Sequence, residues 1–118
     1  MLRSLVGSEM CIRDRYLRFY VQEDKKVHHH LAYEWLLEHA RRLGLHGGSV
    51  FKAMAGFGRH GLLEDHFFEL AGRLPVVVEF IASDDEADRF LSFIQAEETT
   101  LFYVKMPAEF AWIKGPKG

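Results

Sequence analysis

The chain has 118 residues, 48% of them hydrophobic, with ten Phe and three Pro; that length suits one domain, and the apolar fraction is too high for a disordered chain. A formal net charge of −2 creates no general field for nucleic acid, and no basic stripe with interleaved aromatics occurs. No run approaches the roughly 20 apolar residues that cross a bilayer, no secretory leader pattern is present, and the one cysteine, Cys11, can form neither an internal disulfide nor a cysteine metal cage. A cytoplasmic protein is expected.

Ser4 to Arg15 back-translates, in frame throughout, to a transposase adapter used in sequencing-library preparation. Its apolar residues Val6, Met10 and Ile12 follow neither a helical nor a strand period. Residues 1–15 are therefore read as a foreign leader outside the fold, residues 16–114 as the domain and 115–118 as a tail.

Tyr16 to Val21 alternates, with Leu17, Phe19 and Val21 on one face and Tyr16, Arg18 and Tyr20 on the other, which is a strand pattern. The polar run Gln22 to Lys26 ends it as a solvated loop. From His29 to Leu43, Ala32, Leu36, His39, Ala40 and Leu43 recur at helical spacing, and Gly44 stands where a C-cap glycine is expected. Ser49 to Ala55 reads as a second strand leading into Gly56-Phe57-Gly58-Arg59-His60-Gly61. Leu62 to Leu74 is read as a partly helical loop.

Pro75 opens the β-branched run through Ile81, and proline is tolerated at a strand's first residue. Ser83 is an N-cap for a helix over Asp84 to Ala96, with Glu86 completing a capping box and Asp84 and Asp85 favourable to the helix dipole. Ala87, Phe90, Leu91 and Ile94 form its apolar stripe. Thr99 to Met106 is the fourth strand, and Pro107 to Lys114 is a short tail with two buriable aromatics, Phe110 and Trp112.

The order β, α, β, loop, β, α, β predicts an α+β, ferredoxin-like βαββαβ fold. Its closure is a four-stranded antiparallel sheet with both helices on one face, because right-handed crossovers return each helix to the same side. The other face carries Tyr16, Tyr20, Val77 and Ile81, more apolar surface than a monomer usually leaves open. Burial of that face in an oligomer is expected.

Gly56 to Gly61 matches G-x-G-x-x-G after a strand, the outline of a dinucleotide site, with Glu79 near the end of the next strand. On that reading the chain is a small dinucleotide-binding enzyme. Too little chain follows Ile81, however, for the further parallel βα units such a sheet needs.

The segments Leu17 to Val21, Leu31 to Glu34, Gly47 to Phe51, Ala55 to Gly58 and Leu74 to Glu79 resemble a PII-like family known as domain of unknown function 190. Val50 to Ile81 is similar to the second strand, T-loop and third strand of the PII signal-transduction proteins, where a Gly-Phe-Gly-Arg segment begins the ligand-responsive loop. The resemblance implies a regulatory homotrimer, not an enzyme, with clefts between subunits and a mobile loop over about Arg59 to Leu74. It implies a small anionic effector, nucleotide or otherwise, at the loop base, and a protein or membrane-transporter partner. By position, Gly56, Phe57, Gly58, Arg59 and His60 are the ligand-binding candidates; His60 stands where PII places a glutamine serving its organic-acid effector. Glycines at such a base let backbone N–H groups approach a phosphate or ribose. No cofactor is assigned.

One departure concerns the turn between helix two and strand four, where PII carries a glycine- and lysine-rich phosphate loop. Here Gln95-Ala96-Glu97-Glu98-Thr99-Thr100 brings two carboxylates, which repel a triphosphate.

For catalysis, the sequence has no nucleophile elbow and no Walker loop. Glu79, lone in an apolar strand, is read as facing a subunit cleft or solvent. The histidines His28, His29, His30, His39, His46, His60 and His66 include no H-E-x-x-H spacing, so no metal site is assigned.

Overall fold

Alternation in the first strand decides which side of the sheet the core occupies. In the computed structural model, which describes residues 14–55 and 75–116, β1 runs over Asp14–Gln22 and buries Leu17, Phe19 and Val21. It starts two residues ahead of the expected Tyr16, inside the segment read as leader. β5, Pro75–Ser83, buries Val76, Val78, Phe80 and Ala82 by the same period of two.

A hairpin not foreseen in the sequence comes next. β2 (Lys26–Val27) and β3 (His30–Leu31) pair antiparallel, and the two residues between them, His28 and His29, have φ of 51° and 71°. Positive φ at both central residues is the geometry of a type I′ turn, whose twist matches that of the strands. The helix expected from His29 consequently begins later. α1 spans Ala32–Arg42, and its first N–H is met by the Lys25 carbonyl at 2.8 Å. At its far end Leu45 N–H donates to Ala40 O and Gly44 N–H to Arg41 O, with Gly44 at φ 87°. That is the glycine C-cap expected from the sequence, in its Schellman form.

β4 spans Gly47–Lys52, not Ser49 to Ala55. Gly47 and Gly48 belong to the strand because the side chains of Ile81 and Phe80 lie over them: a Cβ on Gly48 would fall 2.7 Å from the Phe80 ring. Residues 56–74 lie outside the described residues, and with them the loop read over Leu62 to Leu74. α2, Asp84–Ala96, has both bonds of the predicted capping box and buries Ala87, Phe90 and Ile94. β6 covers Phe102–Pro107, starting three residues later than Thr99.

The four long strands form one antiparallel sheet in the order β4-β5-β1-β6. Both helices bury their apolar residues against one face, giving the α+β, ferredoxin-like arrangement expected. Phe19, Phe80 and Phe90 meet edge to face at 5.3–6.0 Å in the centre of that layer. Among the described residues, no helix is long and apolar enough to cross a membrane. Of the two aromatics expected to bury in the tail, Phe110 is half-buried against the His46 ring, but Trp112 is 90% exposed.

Candidate functional site

The five ligand-binding candidates Gly56, Phe57, Gly58, Arg59 and His60 lie outside the described residues, so only the frame that carries them can be read. Ala53 N–H donates to Pro75 O at 2.9 Å, one step beyond the Lys52–Val76 pairing. The chain thus leaves the sheet after β4 and rejoins it at β5 side by side, and Gly56 follows closely on that junction. At the same end of the sheet a cleft of about 660 Å³ opens between the end of β1, the Asp24-Lys25 turn and Thr100 to Phe102. It is lined by Tyr20, Gln22, Asp24, Lys25, Thr100 and Phe102.

The two carboxylates of the α2–β6 turn, expected to repel a triphosphate, part company here. Glu97 Oε1 lies 2.9 Å from His28 Nε2 on the β2–β3 turn, while Glu98 takes a φ of 56° and is exposed. One of the two charges therefore has a cationic partner whenever His28 is protonated.

The other chemistry lies on the open face of the sheet. Pairing sets Arg18 opposite Glu79 on β5 and Val104 on β6, with Ser49 beyond Glu79 on β4. Arg18 Nη2 reaches Glu79 Oε1 at 3.4 Å, Nε donates to Tyr16 Oη at 3.0 Å, and Nη1 donates to Tyr20 Oη at 3.1 Å. The Tyr16 hydroxyl in turn donates to Glu79 Oε1. Burial first, and then the bond to Glu79, push the Tyr16 phenol above its ordinary value, against the opposing effect of Arg18. The bond to Tyr20, helped by that to Tyr16, holds the Arg18 guanidinium above its own ordinary value although burial opposes it. With both shifts upward, the Tyr16 phenol keeps its proton and the Arg18 guanidinium its charge at neutral pH.

Glu79, read from sequence as a lone carboxylate, therefore has a partner after all. The signal was available in the alternation of β1, which puts Tyr16, Arg18 and Tyr20 on one face. What was missing was the register that brings Arg18 opposite Glu79. Around this polar centre the face is apolar, with Phe51, Tyr20, Phe102 and Met106 exposed.

Histidines do not assemble into a cluster among the described residues, where no group of three metal-ligating side chains occurs. His28 serves the hairpin turn and Glu97, His46 Nδ1 lies 3.0 Å from Glu86 Oε1, and His39 packs against the stacked Trp35 and Phe93 rings. His60 and His66 lie outside the described residues.

Comparison with known proteins agrees with the frame. Residues 14–104 match the DUF190 family model, described as "Uncharacterized ACR". A UPF0166 protein of Aquifex aeolicus is 36% identical over 91 residues, covering 76% of this chain and 87% of that protein. The UPF0166 protein MJ1524 of Methanocaldococcus jannaschii is 30% identical over 80 residues, covering 68% of this chain and 74% of its own. The family match ends inside β6, so the segment after that strand lies beyond it. With a matching model across most of its length and the βαββαβ sheet in place, the chain belongs to the PII-like DUF190 family.

Proposed function

We propose that the chain is a regulatory subunit of the PII-like kind and not an enzyme. Three copies close their open sheet faces on one another, and a small anionic effector is held at the start of the β4–β5 connection by Gly56, Phe57, Gly58, Arg59 and His60. Effector binding changes the contact that this connection makes with a protein or membrane-transporter partner. The observation that carries the reading is the open sheet face. Phe51, Tyr20, Phe102 and Met106 are exposed around an organised polar centre, an arrangement suited to burial against further copies. Support for the effector position comes from the junction at Ala53 and Pro75 and from the neighbouring cleft with Lys25.

The dinucleotide-enzyme reading gains no support from the sheet. Its described pairings are all antiparallel, whereas dinucleotides bind at the switch point of parallel strands.

Thermal-shift screening of nucleotides and small anionic metabolites tests the reading, with Gly58→Val as the comparison. At least one anion is expected to raise the midpoint of the wild type and not of the variant. If no anion distinguishes the two proteins, the effector site is not at this loop base.

A further inference from the structure

The segment after β6 is fastened to the body at two points and then stands free. Ala108 N–H donates to Asp14 O at 3.2 Å, and the Phe110 ring lies 4.9 Å from the His46 ring, inclined by 54°. Immediately beyond, Trp112 and Ile113 are 90% and 96% exposed. Two adjacent large apolar side chains in water, on a segment anchored just before them, are groups in want of a cover.

His46 also stands at the mouth of a groove of about 500 Å³ between α1 and β4. Leu37, Leu45, Gly48 and Phe80 make its floor apolar, and Glu34 and Glu38 lie on its rim. Glu38 is occupied by Arg41 and Arg42, whereas the exposed Glu34 has no ion pair among the described residues. β4 is the edge strand of the sheet, paired on one side with β5, and such an edge accepts an added extended segment. Residues two apart in an extended segment share a face. Laid along that edge in extended form, the segment would set Trp112 and Lys114 on one side, an indole for an apolar floor followed by an ammonium for a carboxylate rim.

We infer that the Trp112-Ile113-Lys114 segment of one copy lies in the α1–β4 groove of a second copy, with Trp112 on the floor and Lys114 against Glu34. The occupant is another copy because the chain's own segment is held at Phe110 on its own His46, and on that path Trp112 and Ile113 remain in solvent. Each copy gives one segment and receives one. The contact is separate from the proposed assembly through the open sheet face, which Tyr20→Lys is expected to disrupt and Trp112→Ala to leave in place.

Directed disulfide formation in the full chain, with Cys11→Ser as background, tests this. Arg41→Cys on the groove rim and Ile113→Cys on the segment are made as separate proteins, mixed, oxidised and run on a non-reducing gel. A band at twice the chain mass is expected, lost when the Ile113→Cys protein also carries Trp112→Ala. A chain carrying both cysteines that closes only on itself would place the segment in its own groove and overturn the second copy as occupant. Absence of any link, with circular dichroism unchanged from wild type, would overturn the docking altogether.

Discussion

His39 packs against the stacked Trp35 and Phe93 rings at 4.9 and 4.7 Å, and burial there lowers its pKa from the ordinary 6.5. Arg42 and His30 add to the lowering, while Glu38 and Glu97 oppose it. Because the folded chain takes up this proton later than the unfolded chain, stability is complete above pH 6.5 and is lost as pH falls from 6.5 toward the lower folded value. Urea midpoints measured across that window are expected to fall more steeply for the wild type than for His39→Phe; equal slopes would count against the assignment. Gly48 is a second residue whose role is read from distance. An added Cβ would meet the Phe80 ring at 2.7 Å and Leu37 at 3.3 Å. Gly48→Ala should cost about 1–3 kcal/mol by overpacking, and Phe80→Leu in the same chain should recover part of it in denaturant unfolding.

Among the elements, α2 declares itself most openly. Ser83 accepts from Glu86 N–H at 3.2 Å, and Glu86 Oε1 accepts from Ser83 N–H at 2.9 Å. Glu86 also meets His46 Nδ1 at 3.0 Å, joining the helix start to the residue ahead of β4. Ser83→Ala should lower unfolding stability by about 1 kcal/mol, and Ser83→Asp should restore most of it, as read from chemical denaturation. α1 is capped differently. The Lys25 carbonyl at its start and the Gly44 turn at its end replace side-chain caps. Only the glycine end of that helix was visible in the sequence. The tight turn at His28 and His29 lacked the Asn-Gly signature that usually marks such hairpins, so the stretch reads in sequence as a solvated loop running into a helix from His29.

Across the whole molecule, the sheet has one face covered by helices and one in the open. The open face is ordered in rows: Phe51, Val77, Tyr20 and Phe102 at one end, Ile81, Tyr16 and Met106 at the other, and the Arg18–Glu79 pair between them. If three copies share this face, Tyr20→Lys with Phe51→Lys should convert a sedimenting trimer into single folded subunits, because three sets of like charges would be brought together away from water. A wild type that sediments as a single subunit at micromolar concentration would remove the assembly from the proposed function.

The sequence by itself determined the order of the four long strands and two helices, the inward faces of β1, β5 and the helices, the glycine end of α1 and the capping box of α2. Each of these is written in residues a few positions apart, through a period of two or 3.6 or through a short-range hydrogen bond. Family membership was legible too, in the segments around Leu17 to Val21, Ala55 to Gly58 and Leu74 to Glu79. Only the tertiary structure decided that Arg18 answers Glu79 across 61 residues, that Gly47 and Gly48 serve a strand, and that His28 reaches Glu97. Those contacts depend on strand register and on the seating of α2, which the whole hydrophobic layer selects at once and no local stretch encodes.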